Sequence, residues 1–180
     1  GAGDDQITGG TGADTITGGT GADSIILGAE AATVDTLNYA AGDSTATVTF
    51  TAATARATFA GNDTVTGFQL AGVDNLNLAG TGIVSTSAGI DGTDSTAALT
   101  TGAPGTDVIK SHAIGTGATA GIVTFDDADI FGGAVTLGDA GDVAAAIQYL
   151  SLQDIGAAGD TLMFVGNSNS YVYQQTAATA

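Results

Sequence analysis

The 180-residue chain sets nineteen Asp and Glu against two basic residues, Arg56 and Lys110, for a formal net charge of −17. Nucleic acid and anionic membrane surfaces need clustered Lys or Arg to displace counterions, so both are excluded as direct partners, and most carboxylates are left to solvent, protons or bound cations. No apolar run approaches the roughly 20 residues that cross a bilayer, so no membrane insertion is expected.

Cysteine is absent, and 43% hydrophobic residues accompany abundant Thr, Val and Ile. That mixture predicts an ordered, β-rich chain rather than an acidic disordered one. The start has no Met and no basic, then apolar, leader, so any export signal is expected elsewhere. The chain opens partway into a repeat, which makes Gly1 the expected cut edge of a longer polypeptide.

The first 26 residues hold that repeat: Gly1-Ala2-Gly3-Asp4-Asp5-Gln6-Ile7-Thr8, then Gly9-Gly10-Thr11-Gly12-Ala13-Asp14-Thr15-Ile16-Thr17, then Gly18-Gly19-Thr20-Gly21-Ala22-Asp23-Ser24-Ile25-Ile26. Asp5, Asp14 and Asp23 share one column and Ile7, Ile16 and Ile25 another, a period of nine. The pattern Gly-Gly-x-Gly-x-Asp-x-aliphatic-x belongs to a calcium-binding parallel β-helix. Glycines allow turns closed to other residues and bring carbonyls near an ion. The Asp supplies charge to a hard, oxygen-seeking cation. The aliphatic residue points inward from a very short strand, and stacked copies build a narrow core. Repulsion between neighbouring carboxylates is expected to oppose folding until calcium bridges them.

These residues resemble the repeats-in-toxin, or hemolysin-type calcium-binding, family. The resemblance implies that Asp5, Asp14 and Asp23 are side-chain ligands to calcium, with carbonyls of Gly1, Gly3, Gly10, Gly12, Gly19 and Gly21 nearby.

Beyond Leu27-Gly28-Ala29-Glu30 the strict period is lost, but Val34-Asp35-Thr36-Leu37, Gly61-Asn62-Asp63-Thr64-Val65, Gly72-Val73-Asp74-Asn75-Leu76 and Gly105-Thr106-Asp107-Val108-Ile109 keep an Asp-x-aliphatic step. They read as decayed rungs. Asp63 is a further candidate calcium ligand, or a plain turn aspartate. Alternation over Thr45 to Phe50 and Val73 to Leu78 predicts half-buried strands. Phe50, Phe59 and Phe68 stand nine apart and extend the same period, if the spacing is not chance. Residues 80–106, with Pro104, are expected to form a long loop. Asp126, Asp127 and Asp129 make either a second metal cluster or a solvated loop.

His112 is the only histidine. With no cysteine, a multi-histidine zinc site and a Cys nucleophile are ruled out, and no nucleophile elbow accompanies His112. It reads as a surface or locally hydrogen-bonded side chain, and the chain is not expected to be an enzyme. From Gly138 the texture changes. Asp142 as N-cap, with Val143, Ile147 and Leu150, predicts one short helix, stopped by Gly156 and Gly159. Asp160 to Val165, a Gly166-Asn167-Ser168-Asn169 turn and Ser170 to Tyr173 predict an apolar β-hairpin whose Tyr and Phe stripe is core.

The expected fold is all-β: a calcium-binding parallel β-roll over residues 1–30, a β-rich extension of the coil over 31–138, and a helix and hairpin over 139–180. This last unit resembles the C-terminal ends of type I secreted repeats-in-toxin proteins, which implies an export signal there, a cap on the coil, or both. The preferred role is a structural module of a secreted surface-layer (S-layer) protein, self-associating into a lattice through calcium. The alternatives are the folding and secretion module of an enzyme such as a protease or lipase, or of an adhesin, including one that binds sugar or ice.

Overall fold

A computed structural model describes residues 1–28, 33–40, 42–44, 47–51, 56–68, 74–78, 87–92, 94–100, 107–115, 122–153 and 159–175. The chain forms two compact units: Gly1–Thr47 with Ala60–Gly80, and Val48–Phe59 with Thr81–Ala180. Among the described residues strands dominate and there is one helix, so the chain is all-β as expected.

In the first unit the repeats coil as β1 (Gln6–Thr8), β2 (Thr15–Thr17), β3 (Ser24–Ile26) and β4 (Thr36–Tyr39). After β5 (Thr47–Thr51) and β6 (Arg56–Ala60) the coil resumes as β7 (Thr64–Thr66) and β8 (Asn75–Leu78). Successive strands fall on alternate sheets: β1, β3 and β7 pair in parallel, as do β2, β4 and β8. The register puts Ile7, Ile25 and Val65 in one column and Ile16, Leu37 and Leu76 in the other. Because side chains alternate along a strand, only the middle residue of each three-residue rung points inward. Ile25 and Leu37 are fully buried, whereas Ile26, one residue on, is 40% exposed. Ile16, Ile25, Leu27 and Leu37 form the buried core, with Ile7, Tyr39, Val65, Phe68 and Leu76 against it.

The steps at Asp35, Asp63 and Asp74 therefore are rungs of the coil. Asp107 is not, since Val108 makes an isolated antiparallel bridge to Ala98 in the second unit. The nine-residue phenylalanine spacing does not follow the coil either. Phe59 packs edge-on against Tyr171 in the second unit, while Phe68 joins the roll core.

The second unit contains β5 and β6 as a two-stranded sheet, an antiparallel sheet of β9 (Ser87–Asp91), β10 (Ser111–Ile114) and β11 (Val123–Asp126), helix α1 (Ala140–Leu152), and a hairpin of β12 (Thr161–Gly166) and β13 (Asn169–Gln174). The span expected as one long loop thus includes β9 and the buried Ala97, Ala98 and Leu99, while Pro104 lies outside the described residues.

The N-cap of α1 is Asp139, three residues before the expected Asp142, which instead closes a capping box from inside the first turn. Asp142 is fully buried and accepts the amides of Thr100 at 2.7 Å and Gly138 at 2.8 Å, so a carboxylate that looked like a helix start also ties the helix to a neighbouring segment. The helix ends at Gln153, and Gly156 lies outside the described residues. The hairpin forms as expected, with Asn167 and Ser168 both at positive φ, the two-residue turn that matches strand twist. Phe164 stacks on Tyr171 at 5.1 Å and meets Phe125 edge-on at 5.5 Å, so the aromatic stripe is core. Among the described residues no helix is long and apolar enough to cross a membrane.

Candidate metal centre

Each turn of the roll ends in an aspartate whose main chain starts the next strand. Ser24 donates to the Asp5 carbonyl, Thr36 to Asp14, Thr64 to Asp23 and Asn75 to Asp35, all at 2.8 Å. The carboxylates repeat the stagger. The Asp5 amide donates to Asp23 Oδ1 at 2.9 Å, the Asp23 amide to Asp63 Oδ1 at 2.9 Å, and the Asp63 amide to Ser44 Oγ at 2.8 Å. On the other edge, Asp14 donates to Asp35 Oδ1 at 2.9 Å and Asp35 to Asp74 Oδ1 at 3.1 Å. One oxygen of Asp23, Asp63, Asp35 and Asp74 is thereby committed to holding the coils in register.

The second oxygens carry the chemistry. Oδ2 of Asp14, Asp23 and Asp63 is buried without a hydrogen-bond partner, and Asp23 is only 1% exposed. Those of Asp14 and Asp23 turn back into their own glycine-rich turns. A methyl group built on Gly9 would come within 2.8 Å of Asp14 Oδ2, and one on Gly18 would strike Asp23 Oδ2. The close approach requires glycine at Gly19 and Gly21 too, which have positive φ and whose added Cβ atoms would meet the Gly1 and Gly3 backbones of the coil before. Successive turns thus stack main chain on main chain.

The candidate ligands separate into two groups. Gly1, Gly3, Asp5, Gly19, Gly21, Asp23 and Asp63 belong to the turns before β1, β3 and β7, and Gly10, Gly12 and Asp14 to the turn before β2. Asp5, Asp14 and Asp23 are therefore not one file of ligands. Two further aspartates stand in the same structural column, Asp35 and Asp74, and the Asp-x-aliphatic step they share with Asp63 was the signal for them.

Burial raises the pKa of Asp63, opposed by the Asp23 amide and the Tyr39 phenol and reinforced by the charges of Asp23 and Asp43. Asp63 Oδ2 is buried without a hydrogen-bond partner. Burial, then Asp63, Asp23 and Asp43, push the Tyr39 pKa up. This corner of the roll is anionic and poorly hydrated.

Desolvated carboxylate oxygens cost several kcal/mol each unless a cation or donor meets them. Among the described residues no three acidic or histidine side chains converge on one point, so main-chain carbonyls must complete any coordination shell. Calcium takes six to eight oxygens in flexible geometry, carbonyls included, whereas magnesium demands a near-ideal octahedron. Orphaned aspartate oxygens in turns lined by glycine main chain fit calcium.

The other acidic cluster behaves differently. Asp126 is 4% exposed, with Oδ2 accepting the Gly132 amide at 2.6 Å and the Gly133 amide at 3.0 Å. Burial acts upward on its pKa, but the hydrogen bonds from Gly133, Gly132 and Ala128 prevail and hold it low. Its carboxylate braces a loop, and Asp129 pairs with Lys110 at 3.5 Å at the surface. His112 is not at the surface: it is 2% exposed, with Nδ1 2.9 Å from the Tyr149 hydroxyl, and burial lowers its pKa.

No curated protein and no solved structure matches the chain. Residues 1–34 match the family model of the RTX calcium-binding nonapeptide repeat, four copies, a structural repeat typical of type I secreted proteins. With their columns of Asp and inward aliphatics coiled into two parallel sheets, residues 1–34 are RTX nonapeptide repeats, and the ion these repeats bind is calcium.

Proposed function

We propose that this chain is a calcium-dependent folding module of a secreted bacterial surface protein of the S-layer type, in which calcium first completes the roll and then bridges acidic copies into a lattice. Buried aspartate oxygens in glycine turns carry the reading, because they leave the apo roll with charges that only a bound cation offsets. The proposed ligands are Asp5, Asp14, Asp23 and Asp63 with carbonyls of Gly1, Gly3, Gly10, Gly12, Gly19 and Gly21. Extracellular calcium modules bind at about 10⁻⁴ to 10⁻³ M, so such a roll stays unfolded where free calcium is low and folds outside the cell. Passage through the type I machinery and external folding then depend on the same residues. The net charge of −17 supports the lattice step, since copies repel one another until a divalent cation bridges them.

Circular dichroism combined with size-exclusion and light scattering, from chelator to ~10 mM calcium, tests both steps. The expected result is calcium-induced β-structure followed by large ordered assemblies. Folding that stops at a monomer would reject the lattice and make the chain a folding and export module for an attached enzyme or adhesin. Strands that persist in chelator would reject calcium-gated folding altogether.

A further inference from the structure

Among the described residues, strand β13 of the hairpin pairs with β12 alone, in a register that runs unbroken from Thr161–Gln174 to Gly166–Asn169. In a two-residue hairpin the pair flanking the turn is hydrogen-bonded, and bonded and non-bonded pairs alternate from there. Tyr171 and Tyr173 therefore bond to β12, while Ser170 and Val172 turn their main-chain N–H and C=O groups away from it. Both of these residues are exposed, as is Asn169. The outer side of β13 is an open sheet edge.

Edges of this kind are ordinarily blunted by Lys, Pro, a bulge or an inward charge. Strand β13 has none of them: it reads Asn169-Ser170-Tyr171-Val172-Tyr173-Gln174, with a centre of residues that favour strands. By contrast, β9 and β11 each end in an aspartate, Asp91 and Asp126. The whole hairpin shares this neutrality, since no Asp, Glu, Lys or Arg occurs from Thr161 to Ala180, the longest such stretch in a chain of net charge −17. Its inner face packs Leu162, Phe164 and Tyr171 into the core. Its outer face leaves Val165 63% and Val172 42% exposed beside the half-buried Met163.

We propose that β13 is a self-recognition edge, through which two copies of the chain pair antiparallel about a two-fold axis at Val172 and join their hairpins into one four-stranded sheet. With Val172 opposite Val172 of the second copy, the outward N–H and C=O groups of both pair reciprocally, and the exposed valines of the two hairpins meet on one face of the new sheet. A strand paired with itself in this way is self-complementary and closed, so the contact stops at two copies. Charge selects the occupant. Two chains this acidic repel over most of their surfaces, and the uncharged hairpin is where one copy can approach another without like charges meeting. A contact of one strand pair is small, so the dimer is concentration-dependent. It uses no carboxylate and is therefore separate from the calcium-bridged lattice.

The chain has no cysteine, so a single introduced thiol reports the contact. In the full chain with calcium, Val172→Cys should oxidise to a disulfide-linked dimer at least tenfold faster than Ile130→Cys, an 86% exposed position of the same unit, because Cα atoms facing across the axis lie within disulfide reach. Sedimentation velocity should show a concentration-dependent monomer–dimer step in the wild type, kept by Val172→Thr and abolished by Val172→Lys, with circular dichroism confirming that both variants fold. If Val172→Lys does not fold, the cross-linking comparison decides alone. Equal cross-linking at the two positions, a wild type without a dimer, or a folded Val172→Lys that dimerises like the wild type would overturn the contact. Dimers that never grow further would support it while rejecting the calcium lattice, and a lattice assembled directly from monomers would do the reverse.

Discussion

Ile25→Ala is the sharpest probe of how little apolar core the roll has to spare. Ile25 is fully buried between Ile7 and Val65 in its column, and among the described residues it shares the buried core of the unit with Ile16, Leu27 and Leu37. Removing a buried Ile side chain down to Ala costs about 2–5 kcal/mol, with a value near 3 reasonable where flanking rungs relax only partly. If folding and binding are coupled, extra calcium must offset the deficit, and each coupled ion supplies about 1.4 kcal/mol per tenfold rise in concentration. The midpoint for calcium-induced folding should therefore rise roughly 150-fold if one ion is coupled, and roughly 3- to 4-fold if four are, so the shift also counts the ions. The assay is far-ultraviolet circular dichroism against free calcium, with Ile26→Ala, on the solvent side of the same strand, as the control that should move by less than twofold. A midpoint unmoved by Ile25→Ala, or moved equally by Ile26→Ala, would refute the one-residue-deep core.

Gly19→Ala should prevent calcium-induced folding, since its methyl would meet the Gly1 backbone, whereas Gly42→Ala, with positive φ but no heavy atom within 4 Å of the added methyl, should cost only about 1 kcal/mol in thermal or denaturant unfolding. Burial depresses the His112 pKa below its ordinary 6.5, so the native unit holds it neutral while the unfolded chain takes up a proton. Its stability contribution is intact above about pH 6.5 and is lost as pH falls from there toward the folded value, and urea unfolding at constant calcium should show that slope in the wild type and a flatter one in His112→Gln. Ser168→Gly, which relieves a non-glycine residue at φ 62 in the hairpin turn, should stabilise the second unit by about 0.5–1 kcal/mol in the same assay.

The nine-residue register of the first three rungs was legible because Gly, Asp and aliphatic columns each impose a separate physical demand, and a linker meets none of them in phase. Later rungs were legible only in outline. An Asp-x-aliphatic step is too short to distinguish a rung from any turn entering a strand, and Asp35, Asp63 and Asp74 share it with Asp107, which lies outside the roll. The register in that region is carried by amide-to-carboxylate hydrogen bonds between coils, and sequence spacing does not reveal them once an insertion separates the partners. Ser44 illustrates the difficulty: its role depends on a contact with Asp63 that no local pattern signals. In the second unit the hairpin could be read from its apolar runs and Asn-Ser turn. The helix start was displaced by one turn because Asp139 and Asp142 are both good caps, and only the packing of Thr100 and Gly138 on Asp142 separates their roles. The sign of the His112 environment was equally hidden, since a lone histidine carries no record of what covers it.

The amide-to-carboxylate ladder on the Asp5 edge runs one way. Asp5 and Asp23 each give their N–H to the coil that follows, so the series has a direction, but Asp63 gives its N–H to the Ser44 hydroxyl, which stands in the stretch 42–44 that stacks on Gly21 as part of the Asp63 coil itself. A hydroxyl can receive the last amide but brings no charge to recruit another ion, so Ser44 acts as a chain terminator for the file of charges. Coils inserted ahead of Asp5 would extend that file, while any inserted after Asp63 would first have to displace its stop. An array built this way can change length at one end without disturbing how the other is sealed.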